Sequence, residues 1–214
     1  MGLTVQTFEA GPIQTNAYLV GDDESRAALL IDAPRDVTQT LVDAVAAGGW
    51  RVELIVLTHA HWDHIADAAA LVAAIGAPLA AHPLATDRLA APGAASADLP
   101  FTIPPVTPDR ALNDGDEIAL GAHVFRVLHV PGHDPAHIAL VSASDRVFLG
   151  GDVIFPGGHG TTEIPGSDQA IMDRTLGRLL DLPPDAVVYP GHGLTTTLGA
   201  EAGWMREHAA RAVG

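Results

Sequence analysis

The chain contains no cysteine. Disulfides and thiolate metal sites are thereby both excluded, and any metal must be held by His, Asp or Glu. Nor does it contain an apolar run of about 18 residues, the least a membrane-spanning helix needs. Met1 to Val20 lacks a basic stretch followed by an apolar one, and Gln6 stands where an acylation motif after Gly2 needs Ser or Thr. A cytoplasmic protein that does not engage membranes is the expectation. Positive charge is scarce: 11 Lys and Arg stand against 26 Asp and Glu, a net charge of −15 with histidines neutral. An acidic surface repels phosphate backbones, so nucleic acid is not an expected partner; a small-molecule substrate is. Low-complexity tracts and fixed-period repeats are also lacking, which removes disorder and solenoid architectures.

What is present is an ordinary globular composition, 48% hydrophobic over 214 residues, with much of the apolar fraction in alanine. That length suits a single domain, 1–214. Leu3 to Phe8 alternates as a half-buried strand does, and Asn16 to Val20 and Ala27 to Ile31 are apolar runs split by a Gly-Asp-Asp turn. Asp36 is positioned to cap a helix from Val37 to about Ala47, which stops at Gly48-Gly49. Glu53 to Leu57 reads as a buried strand, Asp63 to Ile75 as a helix ended by Gly76, Pro78 to Ala81 as a strand and Leu84 to Ala91 as a short helix. The Pro- and Ala-rich stretch 92–108 is expected as a loop near a site. Strands follow at Glu117–Leu120, Val124–Leu128, Ile138–Ser142, Val147–Leu149 and Val187–Tyr189, with helices at Asp168–Leu180 and Thr197–Ala210. Strand-rich halves, each followed by helices, predict an α/β fold of two sheets packed face to face with helices outside.

The chemistry concentrates in Thr58-His59-Ala60-His61-Trp62-Asp63-His64, directly after the strand Glu53 to Leu57. His59 and His61 are two apart, so in extended backbone they point the same way. Asp63 and His64 open the next helix, where a turn aims them beside the first pair. Metal binding needs further ligands from afar. His133 in Val-Pro-Gly-His, Asp152 in Leu-Gly-Gly-Asp and His192 in Tyr-Pro-Gly-His each follow a short strand and a glycine. Glycine lets the backbone turn sharply and present the next side chain at a strand end.

These motifs, with Gly11-Pro12-Ile13-Gln14-Thr15-Asn16-Ala17-Tyr18, Asp32 and the run from Thr195 to Glu201, closely resemble the metallo-β-lactamase superfamily, and within it the glyoxalase II-like hydrolases. The resemblance covers nearly the whole chain and implies a four-layer αββα sandwich with the site at one edge. It implies that His59, His61 and His133 hold one metal, that Asp63, His64 and His192 hold a second, and that Asp152 bridges them. Nitrogen and oxygen donors suit zinc, with iron or manganese as alternatives. Two such ions roughly 3.5–4 Å apart lower the pKa of a bridging water to about 7, supplying a hydroxide nucleophile. Asp63 is the candidate to orient it. Asp32 is a candidate supporting residue, and His82 and His159 are candidate pocket residues. His137 reads as a neighbour of the site and not a ligand.

The chain departs from that branch in three places. Gly160-Thr161-Thr162-Glu163 lacks the arginine of a Gly-Arg-Thr-Asp run, His192 is followed by Gly193-Leu194 where an aromatic residue is expected near a glutathione site, and no helical glutathione-gripping domain is expected after Glu201 and Trp204. The expected activity is hydrolysis of a thioester, or of a related ester or lactone. The alternatives are a mononuclear iron persulfide dioxygenase, which does not require His192, and a non-catalytic metal-binding module. β-Lactam hydrolysis is a weaker variant of the leading reading.

Overall fold

The computed structural model describes residues 2–94 and 99–212. The chain divides into two compact units, one built from residues up to 112 with 119–124, the other from 113–118 with 125 onward.

The first unit carries a six-stranded mixed sheet in sequential order: β1 (Leu3–Ala10), β2 (Thr15–Asp22), β3 (Ala27–Ile31), β4 (Arg51–Val56), β5 (Leu79–Ala81) and β6 (Arg110–Ala111). β1 to β3 are antiparallel neighbours, and β3 to β6 run parallel. Burial follows from that placement. β2 and β3 are buried along their whole length, as strands covered on both faces are, whereas β1 at the edge is only partly covered. The parallel steps need crossovers, supplied by α1 (Thr38–Gly48) and by the pair α2 (Trp62–Ile65) and α3 (Ala68–Ile75). α4 (Thr86–Ala90) follows β5.

Two details differ from the sequence reading. Asp36 does not cap α1. Its φ is 65°, its carboxylate faces Arg35 Nε, and the carboxylate that receives the Thr38 N–H and hydroxyl is Asp67. The expected Asp63–Ile75 helix is broken at the same residue, since Asp67 leaves helical geometry (φ −101°, ψ 6°) while its N–H donates to the Ala33 carbonyl. Gly49 and Gly76 end their helices in the left-handed conformation as expected. Residues 95–98 of the expected loop lie outside the described residues.

The second sheet is ordered β12-β11-β10-β9-β8-β7. Its strands are β7 (Glu117–Leu120), β8 (His123–His129), β9 (Ile138–Ser142), β10 (Val147–Gly151), β11 (Val187–Pro190) and β12 (Thr196–Thr197). β10 and β11 form its parallel pair, with α5 (Gln169–Leu179) in the crossover. Asp168 accepts from Ile171 N at 2.8 Å to cap α5, which buries a stripe of Met172, Thr175, Leu176 and Leu179. Met172, Leu176 and Leu179 of this stripe join Leu128, Val141, Phe148, Val153 and Val188 in one core. α6 (Leu198–Arg211) is capped by Thr197, whose hydroxyl accepts from Ala200 N, and adds Leu198 and Met205 to that core.

Candidate metal centre

β3 and β4 are parallel with Ile31 opposite Val56, so Asp32 and the segment from Leu57 emerge at the same sheet edge. α/β proteins build their sites at such carboxyl ends. Asp32 holds φ at 60° and donates its N–H to Val56 O at 2.9 Å, which turns its side chain toward the His-rich segment. There it is buried and accepts three hydrogen bonds: Thr58 N at 2.7 Å, Thr58 Oγ1 at 2.8 Å and His64 Nδ1 at 2.8 Å.

Those acceptors decide the tautomers. A carboxylate only accepts, so His64 Nδ1 carries a hydrogen and neutral His64 presents an Nε2 lone pair. The Thr58 hydroxyl spends its hydrogen on Asp32, so it accepts from His59 Nδ1 at 3.0 Å and leaves His59 Nε2 as a lone pair as well. The His59 ring lies 4.7 Å from that of His61 and 4.1 Å from that of His64, centroid to centroid. His64 Nε2 stands 3.2 Å from Asp63 Oδ2, which accepts from Thr15 Oγ1 at 2.9 Å. All four members of the segment therefore gather at one place in this unit.

In the second unit Asp152 and His192 follow adjacent parallel strands, tied by Gly191 N–H to Gly151 O at 2.8 Å. His133 follows Gly132, whose φ is 141° and where a Cβ would meet the Met172 backbone at 2.6 Å. Only glycine serves there, so the Pro-Gly-His motif has a packing reason. Asp152 Oδ2 stands 3.4 Å from His133 Nε2 and 3.6 Å from His192 Nε2. His133 Nδ1 donates to Thr161 O at 2.8 Å, which again turns an Nε2 lone pair toward the carboxylate.

These spacings suit a metal ion. Two ligands about 2.0–2.1 Å from a tetrahedral zinc stand roughly 3.3 Å apart. The His64–Asp63, His133–Asp152 and His192–Asp152 pairs are set at 3.2, 3.4 and 3.6 Å, beyond the roughly 2.7–2.9 Å of a direct charge-assisted hydrogen bond. The donor chemistry, His and Asp without sulfur, fits a divalent cation.

Supporting residues surround the second group. His137 is fully buried, and its Nε2 accepts the Asp152 N–H at 3.0 Å, so it fixes the Asp152 backbone. Gly160 N–H donates to Asp152 O, and a Cβ at Gly160 would stand 2.8 Å from the His133 ring. The loop through Gly160 is held from α6. Glu201 accepts from Gly157 N at 2.7 Å, Thr196 Oγ1 at 2.6 Å and Trp204 Nε1 at 2.6 Å. Burial acts to raise the Glu201 pKa, but these bonds outweigh it and hold the carboxyl below its ordinary value.

His159 lies in the same loop, its Nδ1 bonded to Gly160 O at 2.7 Å and its ring 4.8 Å from that of His208. Burial lowers the His159 pKa and favours the neutral ring. His208 pairs with Asp173 at 2.8 Å. Burial of Asp173 works against ionisation, yet its bonds from His208 and Gln169 keep its pKa below the usual range. His82 Nδ1 accepts from Leu84 N at 3.3 Å and caps the turn after β5. Trp62 stands 6.0 Å, ring to ring, from Phe101, which belongs to the stretch expected as a loop. Thr58, Thr161, His137 and Glu201 went unrecognised as supports in the sequence. The one signal available for Thr58 was its place immediately before His59.

Known proteins give this arrangement a context. The family model of the metallo-β-lactamase superfamily matches residues 10–192. A protein of Haemophilus influenzae named hydroxyacylglutathione hydrolase GloC is 29% identical over 93% of this chain and 95% of its own length. A solved structure of the BLEG-1 B3 metallo-β-lactamase superposes with a TM-score of 0.86 at 28% identity, covering 99% of this chain and all of that one. TTHA1623 in a di-iron-bound form superposes with a TM-score of 0.82 at 37% identity, over 92% and 97% of the two chains. The two mixed sheets with their helices are thus the α/β sandwich fold, and the chain belongs to the metallo-β-lactamase superfamily of metal-binding hydrolases.

Proposed function

We propose that this chain is a dinuclear metallohydrolase that cleaves a thioester, or a related ester or lactone, in the manner of a glyoxalase II-like enzyme. The observation that carries the reading is one carboxylate oxygen, Asp152 Oδ2, set between His133 Nε2 at 3.4 Å and His192 Nε2 at 3.6 Å. A carboxylate shared between two imidazoles is what a bridging ligand requires, and a mononuclear site needs no His192. His59, His61 and His133 would hold one ion, and Asp63, His64 and His192 the other. Residues 1–214 are then one metallo-β-lactamase-like domain, a reading supported by a family match that runs through both units. The ions are zinc in this reading, with iron or manganese as substitutes, and the di-iron form of TTHA1623 keeps iron in view. When bound, such ions supply a water acidic enough to attack at neutral pH and a Lewis acid for the carbonyl.

The protein's own residues prepare that chemistry. Asp32 and Thr58 hold His59 and His64 in the tautomer that carries its hydrogen on Nδ1 and its lone pair on Nε2. The Thr15 hydroxyl holds the orientation of the Asp63 carboxylate, which is then placed to accept a proton from the attacking water. In the overall reaction the acyl carbon gains the water oxygen, the carbon–sulfur bond breaks, and the thiol leaves with a proton. A small-molecule substrate reached in the cytoplasm fits this reading.

The test pairs metal analysis of protein purified without added metal with a screen of thioesters, lactones and β-lactams against zinc-, iron- and manganese-loaded protein. Two ions per chain and thioester turnover are expected, with turnover lost in Asp63→Asn. One iron per chain together with oxygen consumption on a persulfide overturns the hydrolase reading.

A further inference from the structure

In the first unit an open cavity of about 630 Å³ lies beside the His-rich segment, lined by Pro12, Arg35, Asp36, Leu99, Pro100 and Phe101. Its volume is that of a small-molecule site, roughly 300–1,000 Å³. One aromatic ring joins it to the candidate metal centre. Phe101 takes the Arg35 guanidinium on its ring, with Cζ 3.9 Å from the centroid, and stands 6.0 Å from Trp62, which lies in sequence between His61 and Asp63.

Among the described residues, the cavity lining carries one cation and one anion, Arg35 and Asp36. No lysine occurs in the sequence, and every one of its 11 cations is an arginine. Arg35 is the cation among the cavity's lining residues. Its Nε faces Asp36 Oδ2 at 3.3 Å, which uses one of five guanidinium donors and leaves the Nη edge for a ligand. Asp36 is 79% exposed, so solvent screens much of its opposing charge. The stack on Phe101 fixes the plane of the fork, and a fixed planar fork matches a carboxylate through two parallel hydrogen bonds. Pro12 and Leu99 add apolar surface to the cavity, and Phe101 stands between that fork and Trp62.

We propose that this cavity is the acyl subsite of the enzyme and that Arg35 binds a carboxylate at the far end of the acyl group. The substrate class is then a thioester or ester of a carboxylate-terminated acyl chain with an apolar middle. The inference rests on the hydrolase reading above and adds to it what the metal ligands do not specify.

Three thioesters of 2-mercaptoethanol test it: those of 3-(4-carboxyphenyl)propionate, 3-(4-methylphenyl)propionate and 3-(4-trimethylammoniophenyl)propionate. Two methylene groups insulate the carbonyl from the para substituent, so the three differ at the far end alone. The zinc-loaded natural chain is expected to prefer the carboxylate over the methyl compound in kcat/KM. Arg35→Gln is expected to reduce that preference about tenfold, chiefly through KM, and Arg35→Lys to restore part of it. An unchanged ratio in Arg35→Gln, or a preference for the ammonium compound, overturns the proposal.

If none of the three is cleaved, the hydrolase reading is left to the wider screen above, and a binding titration decides the subsite by itself. 3-Phenylpropionate and its amide are added while tryptophan fluorescence is followed, with Trp62→Phe as the control. The carboxylate is expected to saturate at about one tenth the concentration of the amide, and the difference to vanish in Arg35→Gln. Equal binding of the two, or no saturation, refutes the subsite.

Discussion

Removing the Asp32 carboxylate should be among the most damaging single changes to this protein, even though the residue is not a proposed ligand. Asp32→Ala leaves Thr58 N, Thr58 Oγ1 and His64 Nδ1 without their acceptor. Thr58 and His64 are 1% and 0% exposed, so water cannot replace it. A buried donor stripped of its partner costs about 1–3 kcal/mol. The three share one carboxylate, so their costs combine less than additively. Alanine at φ 60° adds roughly 1 kcal/mol that Asp and Asn largely avoid. The total is about 3–5 kcal/mol, which for a chain of this size lowers the melting temperature by about 10 °C or more. Asp32→Asn tolerates the backbone and keeps one acceptor oxygen, so it should fall between the two. Circular-dichroism melts of chelator-treated protein measure this part. The second part concerns metal. With His64 Nδ1 no longer held, metal affinity should drop about 10–100-fold, as it does when an outer-shell partner is lost. Competition against a chromophoric chelator reads it directly. An Asp32→Ala variant that melts within 2 °C of the natural chain and keeps its metal affinity would refute the reasoning.

Three further outcomes follow from the second unit. Glu201→Gln should cost about 2 kcal/mol at pH 7, since a neutral amide replaces a carboxylate that accepts three hydrogen bonds. Because the folded pKa of Glu201 lies below its ordinary 4.5, its contribution is complete above that value and is lost as pH falls through the lower folded one. Urea titrations between pH 7 and 3.5 should therefore show a shallower acid loss in Glu201→Gln than in the natural chain; parallel losses would contradict the assignment. Gly132→Ala should destabilise by about 3 kcal/mol or more, because a Cβ there meets the Met172 backbone at a φ of 141°. Gly203→Ala, in α6 with open space around it, should instead gain up to about 1 kcal/mol, and equal melting temperatures for the two variants would discredit the packing argument. His137→Ala removes the acceptor of the Asp152 N–H and should weaken metal binding about tenfold or more, with His137→Asn recovering part of it, as read by chelator competition.

The parts of this molecule legible in the sequence are those whose cause is local. β3 spans Ala27–Ile31 as its apolar run indicates, and Gly76, Asp168 and Thr197 bound helices for reasons contained within a few residues. The spacing of His59, His61, Asp63 and His64 belongs to the same class, since four ligands within six residues need only the short turn from β4 into α2 to come together. What the sequence hides depends on a partner far along the chain. β6 and β12 are strands of two residues, too short for a period, and exist because β5 and β11 offer them edges. Asp36 has the chemistry of a helix cap, yet Asp67, 29 positions from Thr38, makes that bond. His137 reads as a neighbour because its ring can be assigned only once Asp152 N–H is seen to meet it, 15 residues away. Glu201 shows the same dependence: its place in α6 is evident from the Thr197 cap, but its bond to Gly157, 44 positions away, is not. Metal ligands come as motifs because the ion demands several donors at short range. The residues that set the tautomer and angle of those donors need only one good contact each, which the fold can draw from anywhere. The proposed subsite is the extreme case. Arg35 and Phe101 are 66 positions apart in a chain whose length gives no hint of the pairing, and only their stack makes either one informative.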